Sequence, residues 1–312
     1  MAKVTNAFDT YTATADREQL SDIIYNISPM QTPFLSSVGT SNVSNVVFDW
    51  QTESLPTPSS TGQLEGFELS RSASTATVRE SNVCMISSRD ATVTGSQEAS
   101  DAAGKNSEMA HQLALMAKAL KRDMEEALTQ NIAKNAGAAG TVRQTRSLES
   151  WYQTNVNKAS DGANGSASAA RTNGTRRDLT EALLKDVQQQ CFTNGAEPSI
   201  LMCGPYNKSV ISGFTGRSQA RQFVDANTIE ASVSIYSGDF GELQVVPSNR
   251  SREQAVHLLD PEFAGVAYLR NFETIDISTI GDAQTKMIVV EYGLEMKNEA
   301  AHGIIADVNV SS

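Results

Sequence analysis

Three histidines, His111, His257 and His302, are the side chains in this sequence best suited to proton transfer or metal ligation near neutral pH. His257 lies three residues before Asp260, the one pairing that suggests a hydrolytic dyad or a pair of metal ligands. In a strand that spacing puts the two on opposite faces, and no third ligand is near in the chain. His111 falls beside an apolar stripe and reads as a partly exposed helix residue. His302, in Ala300-Ala301-His302-Gly303, reads as a packing or hydrogen-bonding residue. The carboxylate pairs Glu125/Glu126 and Asp260/Glu262 have no evident partner for general acid–base work and read as solvated faces. Cys84, Cys191 and Cys203 are odd in number and far apart, without redox or metal spacing. They read as buried thiols in a reduced compartment. No glycine-rich phosphate loop and no Gly-x-Ser-x-Gly nucleophile turn occurs. The sequence therefore assigns no catalytic, cofactor-binding or metal-binding residue.

The elements around these residues are unusual in shape. Val46, Phe48 and Trp50 alternate with Val47, Asp49 and Gln51, the period of a strand. Pro56, Pro58, Gly62 and Gly66 then punctuate a tip, and Ala73 to Thr94 reads as a returning strand rich in Ser, Thr, Val and Arg. Residues 44–94 thus form a two-stranded arm with little to bury. An isolated hairpin is marginal in water, and ordering each residue costs about 1–2 kcal/mol of backbone entropy. A neighbouring copy of the chain is the expected source of the missing contacts. Phe48, Trp50, Phe67, Arg71, Arg79 and Arg89 are the candidate residues at that contact. The arginines equally fit solubilising charge on exposed strands.

After the arm, Met109, Leu113, Met116, Leu120, Met124, Leu128 and Ile132 recur every three or four residues. The spacing predicts one helix over 106–134, about 43 Å long, capped by Asn106 or Ser107 and stopped by Gly137. Its single stripe suits a helix laid on a sheet rather than a bundle member. Residues 135–177 read as loop around an anchored turn at Trp151 and Tyr152. Residues 178–280 read as a compact mixture. It holds a helix capped by Asp178, a strand at 199–203, a helix at 206–214 and further strands at 232–236, 242–246, 256–259, 265–269 and 272–277. Ile288, Val290, Tyr292, Leu294 and Met296 mark the cleanest strand, and 304–310 reads as another. Before the arm, Asp16 is placed to cap a short helix over 17–25, stopped by Pro29 and Pro33.

A formal net charge of −11 over 312 residues disfavours a tight sequence reader of DNA. The first twenty residues contain no apolar signal core, and no window approaches eighteen apolar residues, so no membrane span is expected. Together these features describe an α+β structural subunit that assembles rather than a catalyst.

The order of parts resembles the major capsid proteins of tailed bacteriophages, the Hong Kong-97 type fold. Short phrases carry the resemblance: Phe8-Asp9-Thr10-Tyr11, Arg17 to Tyr25, Ile27-Ser28-Pro29 with Thr32-Pro33-Phe34, and Leu148-Glu149-Ser150-Trp151. Leu258 to Pro261, Val266 to Arg270, Glu291 to Glu295 and Asn298 to Gly303 complete them. The resemblance implies an N-terminal arm over 1–43 and an extended loop over 44–94 lying on an adjacent subunit. It implies a peripheral domain from 95–177 and 281–312 with its spine helix at 106–134, and an axial domain over 178–280. The C-terminal strands would pair beneath the spine helix.

The implied function is an icosahedral shell around a double-stranded DNA genome, built from many copies as pentamers and hexamers in the host bacterial cytoplasm. A portal and a decoration protein are implied partners, with DNA held only by enclosure and no cofactor, metal or membrane. Residues 44–94 contain no lysine, so the covalent lock that some relatives form from this loop is not expected. The N-terminal arm is short, so a separate scaffolding protein is expected instead of a fused one. The rival readings are a bacterial nanocompartment shell of the same fold, a metal-assisted hydrolase using His257, Asp260 and His302, and, more remotely, a secreted surface-layer protein.

Overall fold

The computed structural model describes residues 32–56, 58, 60–68, 76–100, 105–214, 233–279 and 281–311. The helix expected over 17–25 and Arg71 lie outside them. The chain enters through a short helix α1 (Pro33–Ser37) and a strand β1 (Gly39–Asn42). It then runs out along β2 (Val47–Thr52) and back along β3 (Val78–Val83), which pair antiparallel from Val47↔Val83 to Thr52↔Val78. The returning strand does not continue unbroken to Thr94. It divides at Cys84, and β4 (Met85–Thr94) leaves the ribbon for a sheet of the body.

A one-turn helix α2 (Gly95–Ala99) leads to the long helix α3 (Glu108–Thr129). Ser107 caps α3 by accepting from the Ala110 N–H at 3.1 Å. The helix has 22 residues, about 33 Å at 1.5 Å per residue, and stops before the expected Lys134. Ile132 explains the early stop. Its N–H donates to Ser147 Oγ at 2.5 Å, and its carbonyl accepts from the Ser147 N–H at 3.0 Å. Those bonds replace the helical ones, and the apolar pattern at Ile132 serves a loop instead.

The chain next forms the one-turn helix α4 (Leu148–Trp151) and the two-residue strand β5 (Val156–Asn157). It continues through α5 (Glu181–Thr193), β6 (Ile200–Cys203) and α6 (Pro205–Ser212). The α5 N-cap is Thr180 rather than Asp178, and Gly195, at φ +81°, follows its C-terminus. Strands β7 (Ile235–Gly238), β8 (Gly241–Pro247), β9 (Ala255–Leu259), β10 (Ala264–Ile277), β11 (Ala283–Met296) and β12 (Gly303–Ala306) complete the described chain. The two strands expected at 265–269 and 272–277 are one, β10, with register shifts between Tyr268 and Glu273.

Besides the β2–β3 ribbon, two larger sheets result among the described residues, with strand orders β1-β10-β11-β4 and β5-β12-β9-β6-β8-β7. Helix α3 lies on the first, where Leu120, Met124 and Leu128 share a core with Ile288, Val290, Tyr292 and Leu294. β11 therefore does pair beneath the long helix, but β12 joins the second sheet, between β5 and β9. β10, grouped by sequence with residues 178–280, is hydrogen-bonded to β11 in the first sheet.

Two short 3-10 turns make these switches, Pro261–Phe263 and Glu299–Ala301. Asp260 Oδ1 accepts from the Glu262 N–H and Asn298 Oδ1 from the Ala300 N–H, both at 3.1 Å. His302 joins them, its Nδ1 accepting from the Asp260 N–H at 3.2 Å. Burial holds the His302 pKa down to about 4, which keeps the ring neutral for that bond.

Candidate assembly surface at the extended arm

The base of the arm is built into the body. Phe48 is buried, and its ring lies where Gly293 of β11 has no side chain; a Cβ there would come within 2.7 Å of it. Trp50 stacks on Phe48 with ring centres 5.8 Å apart and meets Trp151 at 5.4 Å. The Arg146 guanidinium sits 3.9 Å from the centre of the Trp151 ring. Asn82 of β3 is wholly buried, donating to the Leu294 carbonyl at 2.6 Å and accepting from the Arg146 N–H at 2.8 Å. Phe48, read in the sequence as a contact between copies, is thus spent on its own subunit's core, and Trp50 is half-buried against it. Alternation marks such residues as facing one side, but it does not say what covers that side.

Arg79 and Arg89 are also engaged within the chain. Arg79 pairs with Asp49 across the ribbon. Arg89 of β4 holds Asp123 of α3 through two hydrogen bonds, Nε to Oδ2 at 2.7 Å and Nη2 to Oδ1 at 2.9 Å. Arg89 therefore ties helix to sheet within one subunit.

Beyond Thr52 the arm changes character. Among the described residues no helix or strand intervenes before Val78. Leu55 is 95% exposed, Leu64 84% and Phe67 51%. The tip nonetheless has a formed turn, in which the Phe67 N–H donates to the Leu64 carbonyl at 3.0 Å and Gly66 takes φ +81°. A positive φ at the third position of a turn suits glycine. Among the described residues expected at a contact, Phe67 is the apolar one displayed in this way, and Leu55 and Leu64, which were not expected there, are exposed as well. The Leu-Glu-Gly-Phe pattern at 64–67 was the signal available for Leu64: two apolar residues flanking a glycine turn.

One buried feature was misread from sequence, and a second went unread. Glu125 is fully buried, not solvated, and accepts from the Phe34 N–H at 2.8 Å and the Leu35 N–H at 2.9 Å. It caps α1 and pins the entering chain to α3. Burial raises its pKa, and these two donors oppose the rise. Replacing Glu125 with Ala is expected to cost about 1–3 kcal/mol in urea unfolding, because two buried N–H groups lose their acceptor. Glu125→Gln, which retains one carbonyl oxygen, is expected to cost less.

The other feature is a set of buried ion pairs, Arg252 with Glu149 at 2.8 Å and Arg171 with Asp307 at 2.6 Å. Burial pushes Glu149 up to about 7 against the pull of Arg252 and Arg171. His257 stacks on Tyr152 with ring centres 5.7 Å apart and is fully buried, its pKa pushed down to about 3 by burial. His257 is a neutral ring in the core, the Asp260 carboxylate caps a turn, and the His302 ring accepts from the Asp260 backbone N–H. Among the described residues no group of three or more His, Cys, Asp or Glu side chains is placed to hold a metal ion. The three cysteines are unpaired and buried.

Known proteins match this architecture along nearly its whole length. The family model described as SU10 major capsid protein matches residues 3–309. The major capsid protein of Escherichia phage Phieco32 is 23% identical over 337 residues, covering 96% of each chain. Among solved structures, the capsid of the native GTA particle superposes with a TM-score of 0.67 at 12% identity, over 97% of this chain and 100% of that one. A Microbacterium phage Oxtober96 chain gives 0.62 at 10% identity, over 94% and 95%. The encapsulin SrpI of Synechococcus elongatus PCC 7942 gives 0.55 at 10% identity, over 96% and 94%. The fold is thus the Hong Kong-97 type shared by phage capsids. Matched from residue 3 to residue 309, the chain belongs to the SU10 major capsid protein family and is a subunit of the virion's capsid.

Proposed function

We propose that this chain closes an icosahedral shell around the double-stranded DNA of a tailed phage, as pentamers and hexamers assembled in the host cytoplasm. The observation that carries the reading is the arm's tip: Leu64 and Phe67 exposed on a formed turn, with Leu55 exposed earlier in the same segment, at the end of a ribbon fixed firmly to the body. Such a group is stabilised when a second surface removes it from water, at about 25 cal/mol per Å². A neighbouring copy supplies that surface many times over in a closed shell, where weak contacts add through effective concentration. In this reading residues 1–43 are an N-terminal arm, 44–94 the extended loop, α3 the spine helix of a peripheral domain, and 178–280 an axial domain around the capsomer axis.

A portal and a separate scaffolding protein are the expected partners in assembly, with a decoration protein on the finished shell. DNA is enclosed rather than gripped, in keeping with the acidic balance of the chain. The chain performs no catalysis. With no lysine between residues 44 and 94, neighbouring subunits stay non-covalent along this loop.

Negative-stain microscopy of the purified product tests the reading directly. Closed shells containing nucleic acid are expected, and boiling in detergent should yield monomers only. Shells filled with an enzyme cargo would favour the nanocompartment, and a ladder of boiled oligomers would contradict the non-covalent contact.

A further inference from the structure

The sequence holds three Asn-Gly dipeptides, Asn164-Gly165, Asn173-Gly174 and Asn194-Gly195. In such a pair the glycine nitrogen can attack the asparagine side-chain carbonyl. Glycine has no side chain to block the approach, and both groups belong to one dipeptide, so the reaction is intramolecular. Two of the three are not arranged for it. The Gly195 N–H donates to the Phe192 carbonyl at 3.0 Å, and Asn194 Nδ2 donates to Asn155 Oδ1 at 2.6 Å. Asn164 Nδ2 donates to the Gln153 carbonyl at 3.1 Å, and its Oδ1 is buried without a hydrogen-bond partner.

Asn173-Gly174 differs at each group that would react. The Gly174 N–H donates to Asp307 Oδ1 at 2.9 Å, within the reach expected of a general base. Asn173 Oδ1 accepts from Arg252 Nη2 at 2.9 Å and from Arg171 Nη1 at 3.5 Å. Two guanidiniums therefore lie where negative charge would develop. No hydrogen bond among the described residues holds Asn173 Nδ2, and Asn173 is exposed, so ammonia can leave and water can enter. Asp307 is wholly buried and is the one described non-glycine residue with a positive φ, +60°, an uncommon conformation. Its Oδ2 accepts from the Ala159 N–H at 3.1 Å and pairs with Arg171 at 2.6 Å. Burial raises the Asp307 pKa, but Arg171 and the Gly174 and Ala159 N–H groups more than offset that and hold it below the ordinary carboxylate value. Arg177 and Glu149 are the other charged groups that act on it.

We propose that Asn173-Gly174 is a self-modification site: Asp307 takes the Gly174 proton, the Gly174 nitrogen attacks Asn173 Cγ, and Arg252 and Arg171 stabilise the charge on Oδ1. The N–Cγ bond forms and the Cγ–Nδ2 bond breaks. The proton held by Asp307 leaves with Nδ2 as ammonia. Water from the solvent then opens the cyclic imide at either carbonyl, leaving aspartate or its β-linked isomer. This is one event per chain, not turnover. It adds one negative charge beside Arg252 and Arg171, which already pair with Glu149 and Asp307.

Were these bonds only to satisfy a buried loop, they would protect the pair, because a held N–H and a held amide turn less readily into the reactive arrangement. Folding then has opposite effects in the two cases. Peptide mapping by mass spectrometry separates them, with the full-length chain aged folded and, in parallel, unfolded in urea. In urea the three pairs should convert at similar rates. Folding should speed Asn173 about tenfold or more, a general base typically contributing about 10²–10⁴-fold, while it slows Asn164 and Asn194. The folded Asn173 rate should change little between mild acid and neutral pH, because its base is already ionised. The rate in urea should rise with pH, as hydroxide does.

Asp307→Asn keeps an acceptor for the Gly174 N–H and a residue type that tolerates positive φ, but it removes the base. Asn173 conversion in that folded variant should fall to the rate in urea or below. If the variant does not fold, because Arg171 loses its partner, Arg252→Lys takes its place. It keeps a cation beside Glu149 while losing the second arm of the fork that reaches Asn173, and it should lower the folded rate severalfold. A folded Asn173 rate equal to or below the rate in urea would overturn the proposal. So would a folded Asp307→Asn or Arg252→Lys chain that converts as fast as the unaltered one.

Discussion

Removing residues 55–69 is expected to abolish closed shells while leaving a folded, soluble subunit. The deletion touches no helix or strand among the described residues. The six paired positions of the β2–β3 ribbon remain, as do the Phe48–Gly293 contact and the Asn82 hydrogen bonds that fix the ribbon to the body. Shortening a loop reduces its closure entropy only slightly, so the thermal midpoint measured by circular dichroism should move by a few degrees at most. Assembly has no such protection. Each contact that loses about 1.4 kcal/mol weakens tenfold, and a shell repeats the same loss at every subunit. Sedimentation should therefore find the deleted chain at subunit or capsomer size, with no closed particles by electron microscopy. Particles of ordinary size and shape would show that the tip is dispensable and remove the main support for arm-mediated closure.

What could be read from the sequence follows from which interactions leave a local signature. The apolar stripe of α3 and the alternation of β11 are set by neighbours three, four or two positions apart, so the helix appears where expected apart from its last turn and the strand appears where expected. The exposed tip was legible for a similar reason, since prolines, glycines and scarce apolar residues announce a segment with little to bury. The misreadings have long-range causes. Glu125 reaches back 91 residues to the Phe34 N–H, and nothing near it in the chain says that its face will be covered. Ile132 continues the helical pattern, yet Ser147, fifteen residues on, takes its backbone bonds. Arg89 and Arg79 found partners inside the chain because strand pairing and helix packing brought Asp123 and Asp49 to them. Phe48 looked like an interface residue because the gap at Gly293 that receives it lies 245 positions away.

The domain partition is affected by the same long-range pairing. Sequence order groups β10 with residues 178–280, but hydrogen bonds put it beside β11, and β12 crosses the other way. The turns capped by Asp260 and Asn298 carry both crossings, and His302 ties one to the other. The two sheets are thus joined by short, bonded connections, and the first core cluster includes residues from both, among them Leu294 of β11 and Met202 of β6. The two sheets are thereby braced against each other through one shared core.

Replacing Leu120 by Asp should have the largest effect of any single substitution, and one opposite in kind to removal of the tip. Leu120 is wholly buried at the centre of the core that joins α3 to the first sheet. Losing its burial costs about 1.5–3 kcal/mol, and the cavity raises the toll of a simple truncation to about 2–5 kcal/mol. A carboxylate adds desolvation with no partner nearby, so the group protonates or the core opens. The sum approaches the whole stability of a typical domain, about 5–15 kcal/mol. Leu120→Asp should therefore be unfolded or aggregated at neutral pH and give no shells. Leu120→Ala should stay folded with a clearly lowered thermal midpoint. Mild acid should partly rescue Leu120→Asp relative to Leu120→Ala, because protonation removes the charge but leaves the cavity. Near-ultraviolet circular dichroism, which reports packing of Trp50, Trp151 and Tyr292 around this core, separates the cases. A native spectrum for Leu120→Asp at neutral pH would mean that α3 does not organise the body. The arm would then be anchored to something other than the sheet beneath it.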